Sequence, residues 1–292
     1  MKLYRKFMML VMVICLIVSS FALVGCGSDE ATPAAEVEPV IVIAAFGTSV
    51  ASGQENLEDF DTMVRERFPD YDVRWGLTAG FIINKLRKAG QTTLFEREVP
   101  IKSVDEVYAD LRAEGKTNVA VQCLLMMPGS EFREVLSFST AGLNVKYGYP
   151  LLFSPENMQN AMQILADNFA GGDAATILCA HGNDHHPDYN APLIEADEYL
   201  RANYDNVYLA SVEGPPGTDC FTDVAESGAK KVHFIPFMIV SGDHIENDVM
   251  GDEPEAWKVE LGLPATADTG LGSNPEVMGI FMDSLDSVLS QF

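Results

Sequence analysis

The sequence predicts an α/β protein of two lobes, each a parallel sheet covered by helices, with a cleft between them. Short apolar, β-rich runs alternate with helical stretches, as expected of parallel sheets buried on both faces. The second half also repeats the order of the first, including the glycine-bearing loops that end corresponding strands.

Val40–Phe46 (VIVIAAF) is a continuous apolar run ending in Gly47-Thr48-Ser49, which reads as a buried strand and its loop. A helix is expected over about 53–67, stopped by Pro69, then a strand over Asp72–Leu77. Helical patterning returns at about 79–89 and at 103–114, the latter opened by Ser103 with Glu106 three residues on, a capping-box pattern. Asn118–Met127 is the next strand and ends at Pro128-Gly129; a helix near 130–141 and a strand near 147–153 complete this half. In the second half Thr176–Ala180 ends in His181-Gly182, Val207–Val212 in Glu213-Gly214, and Lys231–Val240 in Ser241-Gly242. Helices near 191–203, 219–227 and 275–290 fill the gaps, and the lobes are placed at 40–160 and 161–292.

The front of the chain differs from the body. Lys2, Arg5 and Lys6 precede an uncharged, mainly apolar run from Phe7 to Val24, the pattern of a secretory signal. An uncleaved anchor is the competing reading, since about 18 apolar residues nearly span a bilayer. Leu23-Val24-Gly25-Cys26 resembles a bacterial lipobox, in which the cysteine is diacylated and becomes the mature N-terminus. Residues 1–25 are therefore expected to be a lipoprotein signal peptide, and 26–39, acidic and Pro-containing, a flexible tether. The protein is expected to be exported to the periplasmic or cell-surface side and held to a membrane through lipid on Cys26 alone.

With 19 Lys+Arg against 43 Asp+Glu, the formal charge of the 292 residues is −24. Loss of Lys2, Arg5 and Lys6 takes it to −27. Phosphate-backbone binding needs clustered cations, so nucleic acid is excluded as a partner. A hydrophobic content of 47% supplies a core and excludes a disordered chain. The five cysteines are too scattered for a disulfide framework or a CxxC zinc site, and Cys123 and Cys179, inside apolar runs, read as core residues.

Functional groups of open parallel sheets collect beyond the carboxyl ends of strands. Three strand ends of the second half each deliver a metal-capable group there: His181, Glu213 and His244. Two imidazoles and a carboxylate suit a divalent first-row metal and leave positions open for a substrate. The set depends on the three strands being neighbours. His233, inside an apolar run, reads as a core or edge histidine, and His185 and His186 as exposed loop residues. His244 has a second reading, as part of a helix start capped by Asp243. The loops bearing Phe46, Gly47, Thr48 and Ser49, Pro128 and Gly129, Gly182 and Gly214 are the candidate substrate-binding surface, because glycine lets backbone approach a flat molecule closely. Arg74 and Arg133 are candidate local cations for an acidic substrate.

AAFGTS (44–49), PGSEF (128–132), CAHGNDHHP (179–187), SVEGPPG (211–217) and PFMIVSGDHIENDVMGD (236–252) occur in this order along one chain. Together they resemble the class II chelatases, most closely the anaerobic sirohydrochlorin cobaltochelatases of cobalamin biosynthesis, from about Val40 to the C-terminus. The resemblance implies two flavodoxin-like lobes and a metal held by His181, Glu213 and His244. It implies insertion of Co2+, with Fe2+ and Ni2+ as further candidates, into sirohydrochlorin or a related tetrapyrrole; homo-oligomerisation is left open. Exported members carry a histidine before Pro-Gly where this chain has Leu124–Met127, so haem ligation is not carried over. A lipobox is also unexpected in a biosynthetic enzyme, so a lipid-anchored metal or tetrapyrrole carrier stands as the alternative.

Overall fold

The computed structural model describes residues 38–292; the export segment 1–25, Cys26 and the tether as far as residue 37 lie outside the described residues. The chain forms β1 (Val40–Ala45), α1 (Ala51–Arg67), β2 (Val73–Leu77), α2 (Gly80–Lys88), the short antiparallel pair β3 (Thr93–Leu94) and β4 (Val99–Pro100), and α3 (Val104–Ala113). Next come β5 (Asn118–Leu124), α4 (Ser130–Ser137), β6 (Asn144–Gly148), α5 (Pro155–Leu165), β7 (Ala174–Gly182), α6 (Ala191–Asn203) and β8 (Val207–Glu213). The last part holds α7 (Cys220–Ser227), β9 (Lys231–Pro236), a π-helical turn (His244–Val249), α8 (Trp257–Leu261), β10 (Ala265–Ala267) and α9 (Pro275–Leu289).

Two four-stranded parallel sheets result, in the orders β2-β1-β5-β6 and β10-β9-β7-β8. Counting the sheet-forming strands within each lobe, both read 2-1-3-4. Strand order reverses between β1 and β5 and between β7 and β9, the positions beside which open α/β sheets bind ligands. Glu213, His181 and His244 follow β8, β7 and β9, which are successive neighbours in one sheet. The adjacency the metal set requires is therefore present.

Alternation along the strands assigns their faces. Val40, Val42 and Ala44 pack with Val104, Tyr108, Leu111, Phe132 and Val135 on the outer face of the first sheet. On the second, Ile177, Cys179, Tyr208 and Ala210 pack with Phe221, Val224 and Trp257. The inner faces share one core, in which Ile41, Ile43 and Ala45 belong with Phe60, Val64 and Phe281, and on to Leu193, Leu200, Leu178 and Ala180. Each fully buried Val, Leu, Ile or Phe contributes about 1.5–3 kcal/mol, so this core is the main term joining the lobes. Helix α9 lies on β5 and β6 and against α1 and α5, so the C-terminal segment closes the first sheet.

Several elements differ from the sequence expectation. The strand expected to reach Met127 ends at Leu124, and that expected to reach Val240 ends at Pro236. Beyond Pro236 the chain turns to other partners, Leu271 N–H donating to Met238 O and Gly272 N–H to Ile239 O, both at 2.8 Å. The expected strand at 147–153 is β6, at Asn144–Gly148, followed across Pro150 by a 3-10 turn. Helix α5 was not expected; Ser154 caps it by accepting the Asn157 N–H at 3.2 Å, with Pro155 in its first turn. At α3, Glu106 reaches back to the Ser103 N–H at 2.9 Å as the capping pattern predicts. Cys123, Cys179 and Cys220 are buried free thiols. Among the described residues no helix is long and apolar enough to cross a membrane.

Candidate metal centre

The carboxyl ends of the two sheets open toward one another. Ser52, at the start of α1, donates to Glu246 Oε1 at 2.8 Å, and the buried Asn56 accepts the Ser241 N–H through Oδ1 at 3.1 Å. Across the other side, the Arg133 guanidinium lies 5.0 Å from the centre of the Tyr189 ring, in the loop that follows β7. The loops singled out in the two halves thus meet around a common opening.

His181 is the penultimate residue of β7, and its neighbour Gly182 pairs in register with Glu213 of β8. Gly182 has φ +77°, and a Cβ there would run into the Glu213 carbonyl oxygen. Gly214 has φ +66° with Asn183 O 2.6 Å from where its Cβ would stand. The close approach these glycines permit is to the protein's own chain. The buried Asn190 adds a bond from Nδ2 to Glu213 O at 3.2 Å. Ser211 Oγ donates to Gly214 O at 2.7 Å and accepts the Gly217 N–H at 2.9 Å, closing the loop around a cis Pro215–Pro216 peptide.

His244 arrives by another route. The segment after β9 is tied down by residues 271–272 and Asn56, and the chain then enters the π-helical turn with Met250 N–H donating to Ile245 O at 2.9 Å. The helix-start reading of His244 is correct in that it heads this turn. Asp243 makes no cap bond, its Oδ1 instead accepting from Asn247 Nδ2 at 2.8 Å.

These elements bring the three predicted groups together. The His181 and His244 rings stand at 90° with centres 4.6 Å apart, and His181 Nδ1 lies 3.9 Å from Glu213 Oε2. His181 Nδ1 is 2.9 Å from Gly182 O and His244 Nδ1 is 2.6 Å from Asp248 Oδ2. Carbonyl and carboxylate oxygens only accept, so in the neutral rings both Nδ1 atoms carry the hydrogen and both Nε2 atoms hold the lone pair. Among the described residues no three His, Cys, Asp or Glu side chains stand in a ready coordinating arrangement. The side chains of His181, Glu213 and His244 are 48%, 39% and 32% exposed, which leaves them room to rotate.

The remaining candidates are dispersed. His233 is engaged in its own sheet by Thr266 Oγ1 at 2.9 Å and Asp268 Oδ1 at 3.2 Å. His185 and His186 are exposed, His186 lying 5.4 Å from Tyr189 by ring centres. Phe46 is exposed and meets Phe81 edge-on at 5.7 Å. Thr48 is buried with its Oγ1 accepting the Val50 N–H, Ser49 and Pro128 are half-buried, and Gly129 faces Tyr189. Arg74 is not available to a substrate: it donates hydrogen bonds to the Glu114 and Asp72 carboxylates, which hold it and push its pKa up. Arg133 is the one arginine among the described residues with no oxygen partner. Asp248 and Tyr189 were not singled out in sequence; the i, i+4 spacing of Asp248 from His244 is a usable signal only once a helical turn is expected there.

Comparison with known proteins identifies the family. The family model described as "Cobalt chelatase (CbiK)" matches residues 39–290. The chain is 28% identical over 266 residues to the sirohydrochlorin cobaltochelatase of Salmonella typhimurium, covering 87% of this chain and 97% of that one. It is 28% identical over 235 residues to "Sirohydrochlorin cobaltochelatase CbiKC" of Nitratidesulfovibrio vulgaris, covering 76% and 78%. Among solved structures, SirB from Bacillus subtilis with Fe3+ superposes with a TM-score of 0.59 at 13% identity, over 87% of this chain and 96% of that one, a likeness of fold. With a family match spanning nearly the whole described body, the chain belongs to the cobalt chelatase (CbiK) family and is a metal chelatase.

Proposed function

We propose that the chain is a sirohydrochlorin cobaltochelatase, which holds Co2+ at His181, Glu213 and His244 and inserts it into sirohydrochlorin with release of two protons. The observation that carries this reading is the perpendicular pair of imidazoles 4.6 Å apart, beside the Glu213 carboxylate, brought together by the ends of β7 and β8 and the π-helical turn after β9. The names of the two curated relatives supply the metal and the substrate. Fe2+ and Ni2+ are candidates for the same donors, since borderline divalent ions all accept imidazole.

Insertion exchanges two pyrrole N–H protons for one M2+. The chain must hold the ion, present it to one face of the ring and accept protons. With both Nδ1–H groups bonded behind the rings, the two Nε2 lone pairs are the donors left for a cation, and the exposed Glu213 side chain has room to rotate toward an ion held there. As the ion passes to the ring, His181 takes up a pyrrole proton. The many carboxylates of sirohydrochlorin are repelled by a strongly acidic body, and Arg133, perched on Tyr189 with its N–H edges open, offers them a cation at the opening. Phe46, Gly47, Thr48, Ser49, Pro128, Gly129, Gly182 and Gly214 belong to the loops that would receive the ring.

The N-terminal pattern supports a location outside the inner membrane, with lipid on Cys26 as the anchor. That location favours a second reading, a lipid-anchored carrier that binds metal or tetrapyrrole without turnover. Absorption spectra of the protein mixed with excess Co2+ and sirohydrochlorin separate the two. Several equivalents of metallated product per protein are expected of the enzyme. Binding that stops at one equivalent leaves the carrier, and unchanged spectra overturn both.

A further inference from the structure

The two histidines of the centre are held by unlike partners. His181 Nδ1 meets the neutral Gly182 carbonyl at 2.9 Å, whereas His244 Nδ1 meets the Asp248 carboxylate at 2.6 Å. Asp248 lies four residues beyond His244 on the π-helical turn, and among the described residues no other bonds its side chain. The turn is stapled elsewhere, by Asn247 on Asp243 and by Ser52 on Glu246, each at 2.8 Å. A Cβ on Gly251 would strike the Asn247 carbonyl, so the chain leaves the turn close-packed as well. Asp248 is thus not needed to close the turn, and its only bond ends on the imidazole. π-helical turns recur at functional sites, where the altered register aims side chains that an α-helix would place elsewhere.

We propose that Asp248 is a positioning residue of the metal centre. It fixes the His244 tautomer and ring rotation, so that Nε2 carries the lone pair, and its negative charge behind the ring strengthens that nitrogen as a donor to a divalent cation. A carboxylate behind a ligating imidazole commonly changes metal affinity by about 10–100-fold when removed. The inference rests on the reading of His181, Glu213 and His244 as the metal-holding set. It adds an asymmetry within that set, with His244 backed by a charge and His181 by a neutral dipole.

The test uses the full chain labelled with 15N-histidine, in long-range 1H–15N spectra without metal and in titrations with Co2+ alone followed by its d–d absorption. The wild type is expected to show the His244 Nδ1–H tautomer. D248A is expected to gain an Nε2–H population and to bind Co2+ about 10–100-fold more weakly. D248N, nearly isosteric and uncharged, should fall between the two at an unchanged melting temperature, and D248E should recover part of the affinity. A D248A protein whose His244 tautomer is unchanged, or whose Co2+ affinity stays within about twofold of the wild type, overturns the proposal. H244A distinguishes the two levels. If H244A loses affinity and D248A does not, the positioning role alone is wrong; if H244A also keeps full affinity, the metal reading fails and takes this inference with it.

Discussion

In the first lobe the chain leaves β1 through Phe46 and Gly47 and β5 through Leu125, Met126 and Met127, while in the second it leaves β7 through His181, β8 through Glu213 and β9 toward His244. Both sheets have the 2-1-3-4 order and both present their carboxyl ends to the same opening. One topology therefore serves as a wall with an exposed aromatic pair, Phe46 and Phe81, and also as a mount for two imidazoles and a carboxylate. Topology supplies positions beyond the strand ends; the residues placed there set the chemistry each lobe can offer.

The sharpest way to break this contrast is to remove the imidazoles. His181→Ala and His244→Ala are each expected to lower the rate of cobalt insertion by about 100-fold or more, while the melting temperature moves little, because both rings are partly exposed. Phe46→Ala, at the equivalent strand end of the first lobe, should change insertion only severalfold, and a loss as large as that of the histidine variants would remove the distinction between the lobes. Gly182→Ala tests the backbone beneath the site. Its Cβ would displace the Glu213 carbonyl, so Co2+ affinity should fall about tenfold or more without any donor atom being deleted. Retention of wild-type affinity in a titration would show that the Gly182–Glu213 packing does not position the carboxylate.

Asp61→Ala should have the converse signature. The Asp61 carboxylate, 2% exposed, accepts the Trp75 indole N–H at 2.8 Å and a bond from Arg65 at 2.9 Å, fastening α1 to β2. Its loss strands the buried Trp75 indole N–H and deprives the half-buried Arg65 of its carboxylate, and urea unfolding is expected to register about 1–3 kcal/mol, with the insertion rate per folded molecule preserved. Arg133→Ala should raise the KM for sirohydrochlorin by about tenfold and flatten its dependence on salt, leaving kcat nearly unchanged. Smallest of all is the effect of thiol reagents. Burial pushes Cys123 and Cys220 up to about 12 and Cys179 well above its ordinary value, so at pH 8 peptide mapping of the native protein should find all three unlabelled.

Much of the architecture is legible in the sequence because parallel strands buried on both faces must be continuously apolar, as in VIVIAAF, TILCA and VYLASV. The strand-end placement of His181 and Glu213 follows from the same runs, whereas His244 joins them from the π-helical turn eight residues past the end of β9, the neighbour of β7. What the sequence obscures is the boundary chemistry. The apolar runs after β5 and β9 continue past the last ladder bond, since Leu125, Met238 and Ile239 are buried while their carbonyls accept from Leu151, Leu271 and Gly272 rather than from strand partners. The π-helical turn is likewise hidden, because HIENDV carries no 3.6-residue apolar period, and with it Asp248. Arg74 and Arg133 look alike in sequence, and only folding sets Arg74 between two acids and Arg133 against a ring.

Helix α9 covers β5 and β6, burying Val277, Ile280, Phe281, Leu285 and Val288 in the core shared with β1. During synthesis the strands made first therefore wait for the segment made last. Until roughly the final 18 residues have left the ribosome, the β5–β6 part of the leading sheet lacks the helix that covers it. A nascent chain truncated before residue 275 is accordingly an unfinished protein at its beginning, not at its end.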